Sequence, residues 1–147
     1  MLFFSDEYFM EIALQQAQIA AQKGEIPVGA VVVCKNRIIA KTHNQTEQLT
    51  DVTAHAEILA ITAAAGYLGS KYLKDCTLYV TLEPCLMCAG ALFWSQIDKV
   101  VYAASDSKRG FEHVSKTVLH PKTQVVKGVL EKESREILEK FFSKLRT

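Results

Sequence analysis

The chain has 147 residues with a formal net charge of +1, 49% apolar and 22% charged side chains. That length suits one domain, and the balance excludes a disordered or fibrous chain. No apolar run reaches the length of a membrane span, and Met1-Leu2-Phe3-Phe4-Ser5-Asp6 lacks the basic flank and small-residue cleavage site of a signal peptide, so a cytoplasmic location is expected.

In chain order, Ser5 is placed to cap a helix with Asp6 and Glu7 in its first turn. Tyr8, Phe9, Ile12, Ala13, Ala17 and Ala20 recur at helical spacing until Gly24. Val28 to Cys34 reads as a continuous apolar strand, turned by Lys35-Asn36 into a second strand, Arg37 to Thr42. His43 to Val52 is polar and loop-like. Thr53 or Asp51 is expected to start a helix carrying His55, Glu57, Ile58, Leu59 and Ile61 and ending near Gly66. Cys76 to Leu82 reads as a buried strand, and Pro84 as the start of a helix reaching about Ser95. Lys99 to Ala104 is a fourth strand. Ser105 to Pro121 is the least regular stretch, with one candidate short helix, then come a short strand over Gln124 to Lys127 and an amphipathic helix from Leu130 to Leu145. This order predicts a three-layer α/β/α sandwich with a five-stranded mixed sheet, its first two strands a hairpin.

The charge is unevenly placed. Residues 1–98 carry 6 basic and 10 acidic side chains, residues 99–147 carry 11 and 6. An anionic partner for the C-terminal part is one reading. The other is that Lys132, Arg135, Lys140, Lys144 and Arg146, interleaved with four glutamates, form an ordinary solvated helix face.

The chemistry-bearing residues are His55-Ala56-Glu57 and Pro84-Cys85-Leu86-Met87-Cys88. One imidazole and two thiolates form a soft donor set that selects zinc, and three protein ligands leave a tetrahedral position open, as catalytic zinc sites do. Cys85 and Cys88 are three apart at a helix start, where the dipole favours thiolates and Pro84 fits the first helical position. Glu57 stands outside that donor set and is the candidate proton shuttle. Cys34 and Cys76 fall in apolar runs and read as small buried hydrophobes. Taken alone, the Cys-x-x-Cys pair could be a redox motif, and Glu83 could be mistaken for the catalytic acid, though it reads better as a strand-end residue shaping the turn. The joint H-x-E…P-C-x-x-C order is the known signature of zinc nucleobase deaminases, in which water adds to an amidine carbon and ammonia departs.

On these residues the chain resembles the cytidine deaminase-like superfamily, and within it the bacterial tRNA-specific adenosine deaminases. The likeness includes Ile26-Pro27-Val28-Gly29-Ala30-Val31, Thr53-Ala54-His55-Ala56-Glu57, Leu78 through Cys85, Met87-Cys88-Ala89-Gly90-Ala91 and the final Phe141-Phe142. It implies a single nucleoside deaminase domain over residues 1–147, a homodimer with one Zn²⁺ per subunit, and conversion of the wobble adenosine in a tRNA anticodon loop to inosine. It also implies that Asn44 contacts the target nucleoside. Ala56, Pro84 and Phe142 complete the candidate substrate contacts, with Phe141 or Phe142 available to stack on a splayed base. One segment departs from the family run Asp-x-Lys-x-Gly-Ala-Ala-Gly-Ser: here Asp106-Ser107-Lys108-Arg109-Gly110-Phe111-Glu112-His113 keeps the first half and replaces the small residues. The Gln45–Asp51 loop also lacks any Lys or Arg. These changes leave open a deaminase of free guanine or cytosine, and a non-enzymatic zinc module is the third reading.

Overall fold

The computed structural model describes residues 3–146, so Met1, Leu2 and Thr147 lie outside the described residues. Helix α1 spans Asp6–Gln22, and the Ser5 hydroxyl accepts the Tyr8 N–H at 3.1 Å to cap it. Phe9, Met10, Ala13, Ala17 and Ala20 form its buried stripe. Strands β1 (Gly29–Cys34) and β2 (Arg37–His43) form the expected hairpin. Lys35 and Asn36 both hold positive φ, 52° and 65°, which matches the strand twist in a two-residue turn. There follow α2 (Ala56–Leu68), β3 (Cys76–Leu82), α3 (Leu86–Ser95), β4 (Lys99–Ala104), a single 3-10 turn over Phe111–His113, β5 (Gln124–Lys127) and α4 (Glu131–Leu145).

The sheet order is β2-β1-β3-β4-β5, with β1 antiparallel to both neighbours and β3, β4 and β5 mutually parallel. One face buries Ala56, Ala60 and Ala64 of α2 with Ala89 and Leu92 of α3 against Ala30, Val32, Leu78, Val80 and Val100. The other buries Phe9, Met10 and Ala13 of α1 against Val31, Val33, Tyr79 and Val101, and α4 packs beside α1 on that face. Three layers and a mixed sheet of five strands are therefore the architecture. Among the described residues no helix is long and apolar enough to cross a membrane.

Two helix starts differ from expectation. His55 is the N-cap of α2 with extended backbone (φ −70°, ψ 153°) and is not inside its first turn. Asp51 does not cap that helix. Its carboxylate accepts the Thr53 N–H and hydroxyl, closing a local turn before the helix begins. Likewise α3 begins at Leu86 with Cys85 as its N-cap, so Pro84 precedes the helix. The stop of α2 is also later. Gly66 lies within the helix, and Gly69 ends it with φ 65°, the left-handed conformation suited to glycine.

Candidate zinc centre and substrate cavity

The two unexpected caps are what build the site. Helices α2 and α3 both point their N-termini at one spot beside the C-terminal end of β3. Thr42 fixes the first by donating its hydroxyl to the Ala56 carbonyl at 2.8 Å. At that spot His55 Nδ1 lies 3.7 Å from Cys85 Sγ and 3.4 Å from Cys88 Sγ. Zinc bonds of about 2.3 Å to sulfur and about 2.0 Å to nitrogen, at tetrahedral angles, separate N and S by about 3.5 Å. The three donor atoms thus already stand at ligand spacing, all within 4.8 Å of one another, and fit one zinc ion.

Proton placement fits the same role. The Cys88 thiol donates to Cys85, and that bond, together with the His55 ring, holds Cys85 down at about 4 despite burial. Cys88 is pushed up, first by that donation and then by burial and the nearby Glu57 carboxylate. His55 is raised, chiefly by its bond to Cys85. Two sulfurs and an imidazole sharing protons in this way give them up to a metal.

Glu57, the second residue of α2, is 4% exposed, and burial raises its carboxyl to about 7. It opens on a cavity of about 420 Å³, within the usual range for small-molecule sites. Ile26, Val28 and Leu82 form the apolar wall. Asn44, Glu57, Glu83, Asp106 and Arg109 supply the polar groups, with His55, Ala56 and Cys85 at the base. Asn44 sits at the end of β2, its Nδ2 donating to the Ile26 carbonyl at 3.3 Å. Its Oδ1 is buried and has no hydrogen-bond partner among the described residues, an acceptor that calls for a donor.

Of the candidate site residues, His55, Cys85, Cys88, Glu57, Asn44 and Ala56 are brought together. Pro84 is buried just beneath, its carbonyl accepting the Phe111 N–H at 2.9 Å, and does not line the cavity. Phe142 is not brought there. It lies on α4, edge-on to Phe141, and α4 packs on the α1 side of the sheet, away from α2 and α3.

Two framing carboxylates were not singled out as site residues from sequence. Glu25, 1% exposed, accepts the N–H of Glu47 at 3.0 Å and of Gln48 at 2.7 Å, fixing the loop after Asn44. Glu83 accepts the N–H of Asp106 at 2.9 Å and of Glu112 at 3.0 Å, so it shapes the turn as expected, from inside the cavity wall. No spacing signal could have found Glu25, because its partners lie more than twenty residues away. Two residues of the departing loop turn inward: Phe111 is buried edge-on against Tyr102, and Glu112 accepts the Tyr102 hydroxyl and pairs with Lys127. Only Asp106 and Arg109 of that loop reach the cavity.

The second cysteine pair is separate from this centre. Cys34 and Cys76 face each other across β1 and β3, and burial pushes Cys76 up to about 12.

Comparison with known proteins agrees with this geometry. Residues 4–104 match the model of the cytidine and deoxycytidylate deaminase zinc-binding region. The chain is 48% identical over 145 residues to a tRNA-specific adenosine deaminase of Aquifex aeolicus, covering 95% of each. It superposes with a TM-score of 0.83 and 44% identity on a structure from work on A-to-I editing by tRNA:A34 deaminases at the wobble position, covering 89% of this chain and 99% of that one. A guanine deaminase of Bacillus subtilis is similar at TM-score 0.69 and 36% identity, covering 80% and 79%. The chain belongs to the cytidine and deoxycytidylate deaminase family of zinc-binding enzymes, among relatives named tRNA-specific adenosine deaminases.

Proposed function

We propose that the protein hydrolyses the 6-amino group of adenosine at the wobble position of a tRNA anticodon, consuming water and yielding inosine and ammonia. The observation that carries this reading is the meeting, in one cavity, of a three-donor zinc site, a buried carboxyl and an unpartnered amide oxygen. His55, Cys85 and Cys88 would hold a zinc ion, whose Lewis acidity would make water a nucleophile at neutral pH.

The chain's own residues do the rest. Glu57 takes a proton from the attacking water and returns protons to the ring nitrogen and the leaving amine. Buried at the start of α2 and opening on the cavity, it is placed for both directions of transfer. Asn44 Oδ1 accepts from a donor on the substrate and orients the nucleoside, while Ile26, Val28 and Leu82 exclude water around the base. Ala56 contributes cavity wall, and Pro84 sets Cys85 at its cap position.

The tRNA substrate follows from near full-length similarity to relatives of that name. The same reading has residues 1–147 act as one cytoplasmic deaminase domain within a homodimer, and exposed Leu86, Met87 and Trp94 on α3 offer an apolar face for a second copy. A second reading, deamination of a free base, is favoured by the similarity to a guanine deaminase. Incubating zinc-loaded protein with an anticodon stem-loop carrying a wobble adenosine, and in parallel with free guanine and cytosine, separates them. Inosine in the RNA supports the first reading, and ammonia from a free base with intact RNA overturns it.

A further inference from the structure

The loop that follows the cavity-lining Asn44 and the loop that carries the cavity-lining Asp106 and Arg109 differ in charge. The loop over residues 45–51 carries Glu47 and Asp51 and no cation. The wall itself holds three carboxylates, Glu57, Glu83 and Asp106, and Arg109 is the one guanidinium or ammonium group among its lining residues. Among the charged lining groups only Arg109 attracts a phosphodiester, and exposed Lys108 beside it adds a second positive charge.

Arg109 is also held in place while its head group stays uncommitted. The Asp106 carboxylate accepts the backbone N–H groups of Lys108 and Arg109, each at 3.0 Å, forming a tight turn. Glu83 pins that turn from beneath through the N–H groups of Asp106 and Glu112. Gly110 bridges to Cys85, and its bare Cα is needed there, since a Cβ would lie 2.2–2.4 Å from the Glu83 carboxylate. Arg109 is therefore one residue from the backbone partner of a zinc donor. Yet no ion pair or hydrogen bond among the described residues occupies its guanidinium. A planar cation kept open beside an acidic cavity matches the geometry of a phosphate.

We infer that Arg109 is a specificity-determining residue that binds a phosphate adjoining the target nucleoside. The cavity thereby prefers a polynucleotide over a free base or nucleoside, and the RNA backbone enters across the 106–109 rim and not across the 45–51 rim. This rests on the tRNA reading above and names the subsite by which that reading is achieved.

The test uses the full zinc-loaded chain and three anticodon stem-loops. One is natural, and two carry a neutral methylphosphonate linkage on the 5′ or the 3′ side of the target adenosine. R109Q is expected to raise KM on the natural RNA about tenfold with kcat within about twofold, the pattern of lost binding that does not change in the transition state. Its plot of log affinity against log salt becomes shallower by about 0.7, the loss of one phosphate contact to a single strand. R109K, which keeps the charge but not the planar fork, restores the salt slope and only part of the affinity. K71Q, a charge change in the loop after α2, behaves as wild type. One of the two neutral linkages costs the wild type a similar factor and costs R109Q nothing further. The inference is overturned if R109Q leaves KM and salt slope unchanged, or if the losses from R109Q and from each neutral linkage multiply. A wild-type enzyme that leaves adenosine intact in the natural stem-loop overturns the tRNA reading itself, an outcome separate from parallel behaviour of an active wild type and R109Q.

Discussion

Replacing Glu57 by Gln should cut activity by orders of magnitude and at the same time stabilise the metal-free protein at alkaline pH. The carboxyl rises from 4.5 to about 7 in the folded protein because burial disfavours its charged form. That rise corresponds to about 3 kcal/mol of folding free energy. The sign follows from proton counting. Between pH 4.5 and 7 the unfolded chain ionises this carboxyl while the folded chain holds its proton, so unfolding releases a proton and stability falls as pH rises through that window. Below it both states are protonated and the penalty is absent; above it both are ionised and the penalty is complete. A neutral Gln of the same shape never incurs it. Urea unfolding followed by circular dichroism, with chelator and reductant, should therefore show wild type and E57Q nearly equal at pH 4.5. By pH 8 the variant should be ahead by about 3 kcal/mol, roughly 6–12 °C in melting temperature for a domain of this size. Deamination by the zinc-loaded variant should drop by about 10²–10⁴-fold, the range for a lost general acid–base. A difference curve that stays flat from pH 5 to 8, or slopes the other way, would refute the burial argument.

Zinc uptake at pH 7 should release at least one proton per site, because Cys88 is protonated in the metal-free protein while Cys85 is already ionised. Calorimetric titration in buffers of different ionisation enthalpy counts that proton, and C88A should abolish both the proton and tight binding. Glu83→Gln should cost about 2 kcal/mol, since an amide can accept only one of two backbone N–H groups and leaves the other facing its own NH₂. Faster hydrogen exchange confined to the amides of Asp106 and Glu112 would show that the loop has lost its clamp. Unchanged protection there would refute it.

The strands were legible because each is an apolar run between turn residues. Cys76–Leu82, Lys99–Ala104 and Gln124–Lys127 begin and end where the sequence placed them. The helix starts at the site were not. Caps are ordinarily Ser, Thr, Asp or Asn, and here the cap positions are held by His55 and Cys85, neither of which makes a side-chain capping bond. The local rule fails where ligand placement overrides it, as functional sites do. Thr53 and Pro84, better helix starters, were displaced one or two residues outward by that demand. The donor set and Glu57 were legible because four residues of three chemical types at fixed spacing share one reaction. Phe142 does not line the cavity: its ring chemistry is visible in sequence, while the sheet face that α4 covers is set by topology. Arg109 stood in view within a departing loop, but which loop residues turn into the core and which reach the cavity is decided by packing. Phe111 went in and Arg109 did not.

Three carboxylates are buried around this cavity, and their surroundings divide them by purpose. Glu25 and Glu83 each meet two backbone N–H groups of a loop far away in sequence, so their charge is matched by donors that the fold supplies. Removing either charge orphans those donors and loosens a rim. Glu57 stands at the helix start among sulfurs and apolar walls, and burial outweighs every favourable contact it makes. The same change from Glu to Gln therefore has opposite effects on stability, a loss at residue 83 and a gain at residue 57. A group that the fold would be more stable without, kept where three metal donors and an open amide oxygen converge, is retained for what it does to a proton.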